Sequence, residues 1–518
     1  MNCPYSGRTS IFRALRRVIS HARRRSPLDA QSTLSRREFI KLSAVATPAV
    51  ALTGAGCRSL PSPSAGAPRI AVIGAGIAGL NAAWKLRNLG LHATVYEAST
   101  RAGGRIFSAR GLFGPRLTTE LGAEFIDSNH TEMFSLIREF NLPLLDMSAD
   151  PDRALVQEAC FFNGTHFTPG QVIDAFRPLV ERIDVDTRTL TDTPTFQNPA
   201  GAQSLDQLSI SQYLDRIGTT GWMRQLLEIA FITEFGLEAN EQSALNLLLM
   251  LSTDLSGEKI EWFGESDERW KVNGGNQRVT EELANRLQSQ IQLEHRLVEL
   301  AETSSGYRLT FDRPSQPTVE VKADFVILTM PFTLLRHVAL RVELPPVKWR
   351  AILDLGYGHN AKFILGFHSK PWRTQGFAGN TFSDEPYQLA WDSSRLQDGP
   401  LSTLTCYTGG SASTTLGHGS PSDHTARMLG ALDRTYPGLL QSATGRVERF
   451  HWPSHPFTQA AYACYRPGQW TTIAGAEQQR VGNILFAGEH CSLEFQGFMN
   501  GGAETGKQAA LDLRASLR

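Results

Sequence analysis

"RIAVIGAGIAGLNAAWKLRNLGLHATVYEAS", residues 69–99, decides the fold. Ile70 to Ile73 is a short apolar run, the pattern of a strand buried on both faces. Gly74, Gly76 and Gly79 follow as G-x-G-x-x-G, and a helix opens at once. A second strand, "HATVYEA", brings Glu97 to its end. Gly74 allows a tight turn, Gly76 lets a pyrophosphate approach the backbone, and Gly79 lets helix and strand pack closely. The helix N-terminus offers partial positive charge to the phosphates, and Glu97 accepts the ribose hydroxyls. A lone glycine motif is weak, but strand, helix, second strand and acid stand here in register. The stretch is read as the core of a Rossmann-like α/β domain that binds a dinucleotide.

The chain has 518 residues, 41% hydrophobic and 20% charged, enough for two or three domains. Its formal neutrality misleads. Residues 1–57 hold ten of the 51 basic residues but only Asp29 and Glu38 of the acidic ones, which leaves a body near −8. That balance gives no sign of nucleic-acid binding and weakly favours cationic small molecules. Cys3 and Cys57 lie in the front segment; Cys160, Cys406, Cys464 and Cys491 are widely spaced with no CxxC pair. No metal site is expected, and a single disulfide stays open.

The front segment reads as an address. "SRREFIK", residues 35–41, has the paired arginines, bulky apolar residue and lysine of a twin-arginine signal. The stretch after it is too short and too rich in small residues to span a membrane. Such export carries folded proteins, often with cofactor inserted. "GAGC", residues 54–57, is similar to a lipobox ending at Cys57, although Gly54 stands where leucine is usual, so lipidation stays open. Residues 58–68 read as a flexible linker. The expected destination is the periplasm or cell envelope.

"EASTRAGGRIFSAR", residues 97–110, selects among dinucleotides. Arg101 and then Gly103-Gly104-Arg105 extend the fingerprint. The closing segment "VGNILFAGEHCSLEFQGFMNGGAETGKQAA", residues 481–510, gives a buried strand, Gly488-Glu489, and a helix from near Gly497. "RWKVNGGNQRVTEELANRL", residues 269–287, supplies a mid-chain Gly-Gly motif, and "HRLVEL" follows. Together these motifs resemble the flavin-containing amine oxidases: monoamine and polyamine oxidases, L-amino-acid oxidases, tryptophan 2-monooxygenases and lysine-specific histone demethylases. The resemblance covers nearly everything after Arg69. It implies FAD rather than NAD, with cofactor contacts at Gly74, Gly76, Ala78, Gly79, Glu97, Arg105, Gly122, Ala123, Val298, Glu489 and Met499.

"LGYGHNAKFILGFHSKPW", residues 355–372, places Lys362 on the face of an apolar strand beside Ile364. An edge strand with a snorkelling lysine is the plain explanation. The resemblance implies another: the family lysine that holds a water near flavin N5. It also implies a substrate cage from Tyr462 and Phe498, with Trp452 ten residues before Tyr462. Phe498 replaces the usual tyrosine. Ala461 stands where relatives with covalent flavin carry cysteine, so FAD should be non-covalent.

"ELGAEFIDSNH", residues 120–130, resembles the loop that crosses the flavin in this family. Phe125 stands where amino-acid oxidases carry an arginine. Glu124 and Asp127 are candidate substrate contacts, with a local turn or cap as the alternative. The expected architecture is a FAD-binding domain from 69–125, 265–335 and 450–518, and a discontinuous α+β substrate-binding domain from 126–264 and 336–449. Residues 128–260 read as mostly helical. The implied activity is oxidation of a primary amine or polyamine to an imine, with hydride transfer to flavin N5 and O2 reduced to hydrogen peroxide. An L-amino-acid oxidase or tryptophan 2-monooxygenase, and a non-catalytic flavin-binding lipoprotein, are the alternatives. The specific amine and the oligomeric state are not legible.

Overall fold

A five-stranded parallel sheet organises the nucleotide-binding half. Its order is Ile484–Phe486, Phe325–Leu328, Ile70–Ile73, Ala93–Tyr96 and Ile291–Gln292. The first strand of the chain lies in its middle, and all four of its residues are buried. That is why the run is apolar throughout rather than alternating. The helix Ile77–Asn88 follows directly. Buried Asn81 ties it to the last helix, Met499–Ser516, through the Ala503 carbonyl at 2.7 Å. Two glycines set the packing. A Cβ at Gly79 would lie 2.0 Å from the Gly74 carbonyl oxygen, and one at Gly506 would lie 2.1 Å from that of Ala78.

The computed structural model describes residues 66–149, 154–190, 193–253 and 266–517. The twin-arginine motif, Cys3 and Cys57 lie outside the described residues. Pro68–Arg518 forms one compact unit. No described helix is long and apolar enough to cross a membrane.

Beside the parallel sheet, Arg296–Thr303, Gly306–Arg313 and Gln316–Ala323 form an antiparallel meander. Ala339–Arg341 pairs in parallel with its first strand, so this half continues past residue 335. The helix Thr131–Glu139 also belongs here. Its Met133, Leu136 and Ile137 share a core with Val72 and Leu80, and Asn500 Oδ1 accepts the Glu132 and Met133 N–H groups. The expected boundary at residue 126 therefore falls too early.

The second half is built on a seven-stranded mixed sheet. Its order is Ala443–His451, Ala361–Phe367, Ser402–Thr408, Leu389–Asp392, Phe377–Ser383, Val156–Phe162 and Thr165–Phe167. The last two strands interrupt the span expected to be mostly helical. "VQEACFF" has neither clean alternation nor β-branched enrichment, so its pattern is faint. The helices Pro169–Arg188, Ile210–Arg216, Gly221–Phe235 and Ala244–Met250 do occur in that span. Capping boxes at Thr168/Gln171 and Ser209/Gln212 start two of them.

Gly79→Ala should force the glycine turn off the helix, because no flexible side chain is available to give way. We expect a loss of about 1–3 kcal/mol of stability and of bound flavin, read by thermal unfolding and by the visible absorbance of the purified protein.

Candidate active site

A cavity of about 980 Å³ runs from the glycine turn to the seven-stranded sheet. Every residue expected at the site lines it except Gly79, which acts in packing, and Asp127.

The nucleotide end is formed by backbone. Gly74 sits at φ +107°, and a Cβ at Gly76 would meet nothing nearer than 4.0 Å. The helix behind Gly76 has no side-chain cap, so its first-turn N–H groups face the opening. Glu97 braces this turn: one carboxylate oxygen accepts the Ala75 N–H at 2.7 Å and the other that of Ser99 at 2.9 Å. Val298 falls at a register shift between Leu297 and Glu299, which leaves its backbone outside the ladder and available to a base edge. Arg105 pairs with Glu489 at 2.8 Å and donates to the Ala461 carbonyl. Glu489 also accepts the Gly497 N–H at the start of the last helix. An uncapped helix turn, an open glycine and an unpaired strand backbone on one wall fit a flavin dinucleotide. The four described cysteines are free and buried, and none lines the cavity. Among the described residues the disulfide left open above is not formed. No group of His, Cys, Asp or Glu among them could hold a metal.

Lys362 lies in Ala361–Phe367, which is paired on both sides and buried along its whole length. The edge-strand explanation is therefore excluded. Its ammonium donates to the Glu120 carbonyl at 3.0 Å, the Gly122 carbonyl at 2.9 Å and Glu124 Oε2 at 2.7 Å. All three N–H groups have protein acceptors. The second oxygen of Glu124 accepts from Lys271 Nζ at 2.8 Å. Burial pushes the Glu124 carboxyl up, but the two lysines outweigh it and bring it down to about 2. Glu124 is thus the shared counter-ion of two ammonium groups rather than a free substrate contact. Behind it, burial pushes Glu120 up to about 7, against its bonds from Ser108 and the Asn276 N–H.

Asp127 is bonded to the segment before the strand Trp270–Val272, far along the chain. Its Oδ1 accepts the Glu268 N–H at 2.8 Å, and His130 faces its other oxygen at 3.4 Å.

The aromatic wall comes from several elements. Tyr462 donates to the Thr233 carbonyl at 3.3 Å, so Tyr407, whose hydroxyl is 2.7 Å away, donates to Tyr462. Phe498 caps the last helix, edge-on to His130. Trp452 donates its indole N–H to the Leu121 carbonyl. Trp391 bridges Phe125 and Tyr407, with ring centres 5.7 and 5.4 Å away.

Sequence reasoning missed Lys271, Trp391, Tyr407, Glu234 and Glu268, all of which line the cavity. Tyr407 had a recoverable signal, since it is the direct cross-strand partner of Lys362. Glu234 lies in the last turn of the helix Gly221–Phe235, and Glu268 stands at φ +43° before the strand Trp270–Val272. Burial and then Asp127 raise Glu234 to about 7. Burial, Asp127 and Glu234 raise Glu268 to about 8. Glu268 is exposed by area and lines the cavity.

The family described as flavin containing amine oxidoreductase matches residues 77–513. A Bacillus subtilis protein named "Putative L-amino-acid oxidase YobN" is 25% identical, over 86% of this chain and 94% of its own length. A Danio rerio "Amine oxidase [flavin-containing]" is 23% identical, over 88% and 87% respectively. Among solved structures, a putrescine oxidase bound to putrescine superposes with a TM-score of 0.73 at 22% identity, covering 86% of this chain and 99% of that one. A cyclohexylamine oxidase from Brevibacterium oxydans gives 0.73 at 20% identity, covering 87% and 99%. At these identities the superpositions establish the fold.

Glu124→Ala leaves two buried ammonium groups without their carboxylate. We expect a loss of about 3–5 kcal/mol in equilibrium or thermal unfolding. The pH dependence has a definite sign. The folded carboxyl lies below its ordinary 4.5, so its contribution is full above about 4.5 and lost as pH falls towards 2. The gap between native and variant stability should close over that window.

Proposed function

This chain belongs to the flavin-containing amine oxidoreductases and is an oxidoreductase acting on amines; from that premise we propose that it oxidises an amine carrying a second cationic centre, a diamine or polyamine. FAD is held non-covalently and O2 takes the electrons, giving hydrogen peroxide. The observation that carries the substrate reading is the acidic lining of the cavity, where Glu234 and Glu268 stand together.

Flavin, when bound, supplies the two-electron acceptor for breaking an α-C–H bond. The chain's own residues do the rest. Tyr462 and Phe498 offer apolar faces between which an amine loses water. Burying an ammonium there is costly, so the reacting nitrogen is held neutral, the form that gives up hydride readily. Tyr407 fixes the Tyr462 ring through the hydroxyl bond. Glu234 and Glu268 hold the far nitrogen as an ammonium. The substrate leaves as an imine, which water hydrolyses to a carbonyl compound and an amine or ammonia.

A second reading, oxidation of an L-amino acid, is favoured by Arg395 on the same cavity wall and by the name of the Bacillus relative. Phe125 at the loop position discussed above speaks against it. The two readings separate by steady-state kinetics. A diamine should show a KM about tenfold or more below that of the monoamine of equal length, since one close ion pair at an effective dielectric of about 20 exceeds that factor. Both carboxyls are raised, so the wall is more anionic above pH 8 than at pH 6. The diamine KM should therefore fall with rising pH, and a Glu234→Gln, Glu268→Gln double variant should abolish both effects. Equal KM values for the two amines, or a lower KM for an L-amino acid, contradict the proposal.

We also propose that residues 35–41 direct twin-arginine export to the cell envelope, with lipidation of Cys57 as a separate question. Support comes from the motif alone. Replacing Arg36 and Arg37 together by lysine should leave the flavoprotein in the cytoplasm, as read by fractionation and immunoblot. Unchanged export contradicts it.

A further inference from the structure

Tyr462 and Phe498 stand on different parts of the chain, one after the strand Ala443–His451 and the other at the N-cap of the last helix. One ion pair holds the backbone on both sides of the first ring and just before the second. Arg105 Nη1 donates to the Ala461 carbonyl at 2.6 Å and to Glu489 Oε1 at 2.8 Å. Glu489 in turn accepts the Ala463 N–H, at 3.3 and 3.4 Å to its two oxygens, and the Gly497 N–H at 2.9 Å. Its side chain is 7% exposed, so water competes little for these bonds. Gly497 closes the arrangement. Its φ is +86°, and a Cβ there would lie 3.7 Å from the Tyr462 ring, so the residue before Phe498 sits against Tyr462. Holding a cofactor requires neither the bond to the Ala461 carbonyl nor that from the Ala463 N–H.

We propose that the Arg105–Glu489 pair sets the gap between Tyr462 and Phe498, and thereby which nitrogen substituents an amine substrate can carry. On the reading that the amine reacts between these two rings, both are positioning residues that act through the Ala461, Ala463 and Gly497 backbone. Three peptide groups tied to one ion pair leave the rings little freedom to part, since charge-assisted bonds are about twice as strong as neutral ones.

The test is anaerobic stopped-flow reduction of the holoproteins by an amine series in which only the nitrogen substituent changes, from hydrogen to methyl to larger alkyl groups. Selectivity is the ratio of second-order reduction rates for the two members that the native protein separates most. Glu489→Gln keeps the size of the side chain but removes its charge and sets an amide N–H against other donors. It should slow the better amine about tenfold or more, the scale of a misplacement of roughly 1 Å. It should slow the poorer amine far less, so that the ratio falls towards unity while flavin, read by visible absorbance, stays bound. Arg105→Met removes the bonds to Ala461 and Glu489 together and should move the ratio the same way. A role in cofactor support alone predicts loss of flavin, or equal slowing of every amine with the ratio unchanged. Either result in both variants overturns the inference, and where one variant fails to accumulate the other decides. Tyr462→Ala should erase the ratio by itself. A ratio that survives Tyr462→Ala contradicts the reading of the two rings as the substrate's cage. A ratio lost in Tyr462→Ala but kept in Glu489→Gln contradicts the role of the pair alone.

Discussion

An ammonium buried in the middle of a sheet is the constraint on which the rest of the site depends. Lys362 sits in a strand paired on both sides, where a solitary charge is untenable. The structure satisfies it with two loop carbonyls and one carboxylate, all from residues 120–124. That loop belongs to the nucleotide half: a Cβ at Gly122 would lie 1.9 Å from the Arg105 carbonyl oxygen. The strand belongs to the seven-stranded sheet. The lysine therefore joins the two halves across the cavity, and Glu124 carries the connection on to Lys271 in the strand Trp270–Val272. Such a network is weak evidence for net stability, since its desolvation cost is large, but it specifies geometry strongly.

Two opposite electrostatic characters then share one enclosure. The lysine pair and the uncapped helix turn favour negative charge, as a dinucleotide and a reduced ring require. Glu234 and Glu268 favour positive charge. The aromatic wall of Tyr462, Phe498, Trp452 and Trp391 lies in the same cavity and offers apolar faces. One molecule with an electron-rich neutral amine at one end and an ammonium at the other is suited to such a space.

The nucleotide end was legible in the sequence because its logic is local. Strand, glycines, helix and Glu97 lie within about thirty residues, and each residue type has one reason to be there. Val298 was legible only through resemblance; the register shift between Leu297 and Glu299 leaves its backbone outside the ladder. Lys362 was conspicuous because a charge in an apolar strand breaks a pattern. Lys271, beside a Gly-Gly motif, broke none, although it completes the same network. Tyr407, Trp391, Glu234 and Glu268 meet only when distant strands and helices assemble, and no spacing in the chain announces that. Asp127 and Glu124 were seen but their partners were not, since a sequence shows a carboxylate without showing what neutralises it.

The most direct test of the account is anaerobic mixing of the purified flavoprotein with a series of monoamines, diamines, polyamines and L-amino acids while the visible flavin band is followed. Rapid bleaching by diamines or polyamines, slower bleaching by monoamines and none by L-amino acids is the predicted result. Bleaching by L-amino acids alone would contradict the account, because the acidic wall would then face a substrate it should repel.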